Sequence, residues 1–142
     1  MSKLKDYIKG KYKKYELFAP SEFWDLTDEE KAEVTNGCGA ASAAIDFVPD
    51  TIYGLDISAS CDIHDFSYNE GGLEEDKFIA DLFLLINALQ IIKQESSNNF
   101  TKTLRYSRAI KYFYAVDFFG DDAFRFLDPE CEAELEEEED CC

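Results

Sequence analysis

One histidine occurs in the 142 residues, within Cys61-Asp62-Ile63-His64-Asp65-Phe66-Ser67-Tyr68. Imidazole titrates near neutral pH, so His64 can take up a proton and return it within one reaction. Asp65 follows at once, and a carboxylate there can hold a hard cation close to the same reacting atoms. Tyr68 lies one helical turn after His64, on the same face of any helix the segment forms. Side by side, His64 and Asp65 can combine proton transfer with a bound cation.

A second carboxylate completes the set. From Phe78 to Ile92 the chain is almost wholly apolar, and Asp81 is the one charged residue in that window. A helix apolar on most faces is buried, and a buried carboxylate is costly unless something pairs with it. Helices over 55–70 and 73–94, joined through Gly71-Gly72, should run antiparallel as a hairpin. His64 is seven residues before Gly71 and Asp81 nine after Gly72, so at about 1.5 Å per residue the two lie at similar heights from the turn. The expected result is a facing pair. Asp76, in the charged first turn of the same helix, is the competing aspartate and also reads as a solvated helix start.

The other elements follow from periodicity and punctuation. Residues 3–15 set Leu4, Ile8, Tyr12 and Tyr15 at helical spacing between lysines. This predicts an amphipathic helix, packed on the chain's own acidic body in preference to an anionic lipid surface. Thr27-Asp28-Glu29-Glu30 is a capping box that opens a short helix to about Thr35. Residues 40–55 and 96–103 read as loops. A third helix begins near Leu104 and breaks at Gly120 before a last turn over 121–127. From Pro129 onward acids occur without a single base, a density of like charge that favours disorder. The expected organisation is a basic N-terminal segment 1–20, a helical domain 21–127 and an acidic disordered tail 128–142. The expected class is all-α, with two antiparallel core helices carrying the His–Asp pair between N-terminal and C-terminal helices.

The formal net charge is −17, yet residues 1–14 carry six lysines against one aspartate. So acidic a body speaks against nucleic acid as a partner and is compatible with calcium. No run of about eighteen apolar residues predicts a membrane span. Lysines interrupt every apolar stretch near the N-terminus, so no secretory signal is expected. The expected place of synthesis is the cytoplasm, with release by lysis or inside a particle as later routes. Five cysteines are too few for a disulfide-stapled scaffold.

Cys61-x-x-His64-Asp65-x-x-Tyr68 resembles the active-site helix of the phospholipase A2 superfamily, whose fuller form reads Cys-Cys-x-x-His-Asp-x-Cys-Tyr. Ser60 and Ser67 stand at two of the cysteine positions, so the likeness is to the sparser members found in bacteria, fungi and phages. Asp81-x-x-Leu84-x-x-Asn87 and the aromatic run from Arg108 to Phe124 extend it over about residues 34–126. The resemblance implies catalytic roles for His64 and Asp81 and a supporting hydrogen bond from Tyr68, with Tyr112 or Tyr114 as a second phenol. It implies calcium held by Asp65 and by backbone carbonyls of a Gly-rich loop, best matched by Asn36-Gly37-Cys38-Gly39-Ala40. Gly37 and Gly39 are then ligands, with Asp46 and Asp50 as further oxygen donors or plain turn formers. It also implies a Cys38–Cys61 disulfide outside a reducing cytoplasm. The implied activity is calcium-dependent hydrolysis of glycerophospholipid esters at a membrane surface. After Gly39 the loop reads Ala40-Ala41-Ser42-Ala43-Ala44, without further glycines. That departure keeps a catalytically inactive helical binding or virion-associated module as the alternative, beside an acidic interaction protein with a structural His64–Asp81 pair.

Overall fold

The computed structural model describes residues 6–34, 49, 51–121 and 124–126. Its elements in chain order are β1 (Tyr7–Tyr12), β2 (Tyr15–Pro20), α1 (Ser21–Trp24), α2 (Asp28–Val34), β3 (Thr51–Ile52), β4 (Leu55–Asp56), α3 (Ser58–Glu70), α4 (Glu74–Glu95) and α5 (Asn99–Phe119). Two antiparallel hairpins, β1–β2 and β3–β4, overturn the all-α expectation: the fold is mixed α and β.

The first hairpin stands where an amphipathic helix was expected over 3–15. Its second strand shows why. Tyr15, Leu17 and Ala19 are buried while Glu16 is exposed, a period of two that a strand satisfies and a helix does not. Lys13 and Lys14 make the two-residue connection at φ 47° and 70°, and Tyr12 pairs with Tyr15 across it. Positive φ at both central residues matches the twist of the flanking strands.

Packing fixes this hairpin to the helices. The Tyr7 ring stacks on Phe83 of α4 with centroids 4.0 Å apart. Its hydroxyl meets Ser67 of α3 at 2.9 Å. Burial pushes the Tyr7 phenol up to about 12, against the Ser67 bond, which lowers it. The Tyr12 hydroxyl and the Lys13 ammonium donate to the buried Asp62 at 2.8 and 2.7 Å. Lys9 and Lys14 lie 3.4 and 3.5 Å from Glu16 and Glu95, so these hairpin lysines answer the chain's own acids. Asn87 of α4, fully buried, accepts from the Phe18 N–H and donates to the Phe18 carbonyl, both at 2.8 Å. One side chain thus stands in for a neighbouring strand. Asn87→Leu keeps the branched shape but leaves both main-chain groups unpaired, and we predict a loss of about 2 kcal/mol or more. Urea unfolding measures it. An unchanged midpoint would show that the amide does not hold the hairpin.

The helices depart from expectation mainly at their ends. The Thr27 N–H donates to Glu30 at 2.9 Å and the Glu30 N–H to the Thr27 hydroxyl at 3.1 Å, the reciprocal capping box that opens α2. α3 starts at Ser58, because Leu55 and Asp56 pair back to Thr51 and Ile52. Asp76 accepts from the Leu73 N–H at 2.9 Å and caps the first turn of α4. α5 begins at Asn99, earlier than the polar run 96–103 suggests. The Asn98 side chain accepts from the N–H groups of Phe100 and Thr101 at 2.8 and 3.1 Å, a strong N-cap.

Gly71 and Gly72, at φ 73° and 145°, turn α3 into α4. A Cβ at Gly71 would come within 2.7 Å of the Arg125 Cβ. That room lets the last described residues close over the turn, where Gly72 N–H donates to the Arg125 carbonyl at 2.9 Å. Leu17, Phe23, Ile52, Ile63, Ile91, Ile92 and Val116 are fully buried between the hairpin and α3, α4 and α5; each contributes about 1.5–3 kcal/mol. Among the described residues no helix is long and apolar enough to cross a membrane. The acidic tail 128–142 and the loop with Gly37, Cys38, Gly39, Asp46 and Asp50 lie outside the described residues.

Candidate active site

Antiparallel packing of α3 on α4 brings His64, Tyr68 and Asp81 to one point. His64 Nε2 lies 2.8 Å from Asp81 Oδ1, with side chains 2% and 0% exposed. The Tyr68 hydroxyl donates to the same Oδ1 at 2.5 Å. Its ring sits against His64 with centroids 4.1 Å apart and meets Phe124 edge-on at 5.2 Å. Gly120 makes room for the phenol: a Cβ there would lie 2.6 Å from the Tyr68 hydroxyl.

Lys77 is the member that sequence reasoning missed. It is buried one turn before Asp81 on α4, and its Nζ donates to Asp81 Oδ2 at 2.8 Å. The same ammonium donates to the carbonyls of Val116 and Asp117 at 3.2 and 3.0 Å. The carboxylates of Asp121 and Asp117 lie 3.5 and 3.9 Å away. Lys77 therefore fills the position foreseen for a second phenol. Tyr112 instead donates to the Thr51 carbonyl at 3.1 Å, and Tyr114 is 56% exposed. The signal was present in the i, i+4 spacing of Lys77 and Asp81. It was overlooked because Lys77 stands one residue outside the apolar run.

Charges in the cluster are set by opposing causes. Burial alone would raise the Asp81 carboxyl, but the bond and charge of His64, then the bonds from Lys77 and Tyr68, outweigh it and hold the group below the usual carboxylate range. Burial, with the charge and bond of Asp81, pushes the Tyr68 phenol far above its ordinary value, so Tyr68 is a neutral donor. Burial and the proximity of Asp81 push the Asp117 carboxyl up, while Lys77 pulls it down. An ionised Asp81 beside Nε2 places the His64 proton on that nitrogen. The other ring nitrogen, Nδ1, then carries the free lone pair.

The sequence-predicted metal ligands are divided. Asp65 follows His64 on α3 and is partly buried; Gly37 and Gly39 lie outside the described residues. Among the described residues no group of three or more His, Cys, Asp or Glu is placed to hold a metal. A carboxylate such as Asp65 is a donor of the hard kind that calcium takes. Cys61 is 2% exposed and disulfide-bonded; Cys38 and the other cysteines lie outside the described residues. Ser60, at one of the resembled cysteine positions, donates to the Ile57 carbonyl at 2.7 Å. Ser67, at another, holds Tyr7.

No protein-family model, curated protein or solved structure matches the chain.

Proposed function

We propose that the chain is a phospholipase A2-like hydrolase of glycerophospholipid esters, with His64 as general base and Asp81 as its positioning partner. One observation carries the reading: the buried contact of 2.8 Å between His64 Nε2 and Asp81 Oδ1. In the reaction Nδ1 takes a proton from water as the hydroxide oxygen attacks the ester carbonyl. The imidazolium so formed is stabilised by Asp81 and returns the proton to the departing glycerol oxygen. The products are a free fatty acid and a lysophospholipid. Tyr68 and Lys77 hold Asp81 ionised and oriented while this happens. Bound calcium would supply electrostatic stabilisation of the developing oxyanion, and Asp65, with the carbonyls of Gly37 and Gly39, are the groups that would hold it.

The test is fatty-acid release from phospholipid vesicles with calcium present or chelated, beside calorimetric titration of calcium into the parent chain and Asp65→Asn. A single carboxylate with neutral partners predicts weak binding, on the order of 10⁻⁴–10⁻³ M. We expect Asp65→Asn to lose that phase together with calcium-dependent release. Equal titrations in both chains would remove Asp65 from the site.

A second reading has its own observation. Lys77 neutralises Asp81 from the side opposite His64, as a purely structural buried ion pair would. In that case the chain is a catalytically inactive binding module, and the parent releases no fatty acid under any calcium concentration.

A further inference from the structure

The bases of α5 stand unanswered in an acid-rich chain. The sequence has 31 acids against 14 bases, and Lys9, Lys13, Lys14 and Lys77 each meet a carboxylate at 2.7 to 3.5 Å. Residues 96–116 hold no acid. Among the described residues no carboxylate lies within ion-pair distance of Lys102, Arg105, Arg108 or Lys111. Arg105 and Arg108 donate to uncharged oxygens of Ser96 and Tyr53. Arg105, Arg108 and Lys111 recur at every third residue, so they form a slanted row on the helix.

An apolar row lies beside it. Phe100 and Phe118 are 74% and 73% exposed; eighteen residues apart, they point the same way after about five turns. Leu104 and Tyr114 are exposed beside them, while Ala109 and Val116 are buried on the opposite side. Apolar surface of this extent marks an interaction site, and the row of bases selects for acids in whatever lies on it.

The chain carries such a segment itself. Glu130, Glu132, Glu134 and Glu136 alternate with Cys131, Ala133 and Leu135, and acids continue to Asp140 without a base. In an extended chain, period two sends the carboxylates to one side and the small apolar groups to the other. The segment also starts in reach. Phe126 bridges Gly72 at the head of α4, and Lys77, in the first turn of α4, donates to carbonyls at the end of α5. From Phe119 back to Lys111 is about 12 Å, and back to Arg105 about 21 Å. Four and eight extended residues beyond Phe126 span about 13 and 26 Å, which brings Glu130 and Glu134 to those heights. A short tether gives an effective concentration on the order of millimolar, so weak pairs suffice.

We propose that residues 130–136 lie along the outward face of α5 as an intramolecular cover, with glutamates against Arg108 and Lys111 and Leu135 on the aromatic stripe. Such a cover works the same whether or not His64 hydrolyses esters. Charge latches it, so the stripe is bared where salt or multivalent cations occupy the glutamates.

The experiment treats the full chain with a zero-length carbodiimide, which joins an ammonium to a carboxylate in contact with it, and maps the linked peptides by mass spectrometry. At low salt Lys111 should link to the glutamates of residues 130–136, and about 1 M sodium chloride should lower that yield by about tenfold or more. In an equal mixture of isotope-labelled and unlabelled chains, each link should join peptides of one label. Glu132→Gln, Glu134→Gln and Glu136→Gln together should raise the fluorescence of an apolar-surface dye several-fold with circular dichroism unchanged, and adding Phe100→Ser and Phe118→Ser should remove the rise. The cover is overturned if Lys111 forms no link to the segment, or if the segment links to Lys9 or Lys11 of β1 instead. It is equally overturned if the glutamine variant binds no more dye than its parent. Links that join the two labels would seat the segment of a second copy on α5 and overturn the intramolecular arrangement.

Discussion

His64→Gln is expected to lower fatty-acid release by about 10²–10⁴-fold, the range that a positioned general base contributes, while the thermal midpoint stays near that of the parent. Glutamine has similar bulk, and its amide can still donate to Asp81 Oδ1, so the buried carboxylate keeps a third partner beside Tyr68 and Lys77. What it lacks is a nitrogen that accepts a proton near neutral pH. The chain has no other histidine to take over. Release at the parental rate would mean that water is activated elsewhere, and the catalytic assignment would fall.

The second large effect concerns stability. Asp81→Ala leaves the His64 ring N–H, the Tyr68 hydroxyl and the Lys77 ammonium without their common acceptor. Stranding a buried charge typically costs about 3–5 kcal/mol, so this variant should be far less stable than Asn87→Leu. Asp81→Leu with Lys77→Met removes both charges and should recover much of the loss, a coupling that a double-mutant cycle in urea resolves. The pH dependence has a definite sign. Asp81 titrates below the ordinary aspartate value of 3.8 in the folded chain. Its contribution is therefore complete above that value and fades as the pH falls through the lowered one. Asp81→Ala should flatten this acid limb. If its cost is under about 1 kcal/mol, the carboxylate is screened by solvent and the buried network is not what holds the site.

The helix hairpin was legible because its signals were local and redundant. Gly71-Gly72 marked the turn, the apolar run from Phe78 marked burial, and counting from the turn placed His64 opposite Asp81. The capping box at Thr27 was equally plain. The first hairpin was hidden by its own chemistry. Two-residue connections normally announce themselves with Asn-Gly or Asp-Gly, whereas here Lys13 and Lys14 take the positive φ values. Helical spacing across Leu4, Ile8, Tyr12 and Tyr15 outweighed the alternation of Tyr15, Leu17 and Ala19, although the alternation was the true signal. Long-range packing on Phe83, Ser67 and Asn87 decided the matter, and no single-sequence pattern reports it. Asn98 could have located the start of α5, since Asn is a preferred cap. Lys77 needed only the question of what shares a helical face with Asp81.

Two of the fold's fastenings grip main chain, not side chain. Asn87 holds the N–H and carbonyl of Phe18, and Gly72 holds the carbonyl of Arg125. A bond to a peptide group is indifferent to the side chain that group carries. Mutational tolerance is therefore lopsided across each fastening. The bonds themselves do not depend on the side chains at positions 18 and 125, so long as position 18 keeps its N–H. Position 87 must keep an amide able to donate and accept at once, and position 71 must keep no side chain at all.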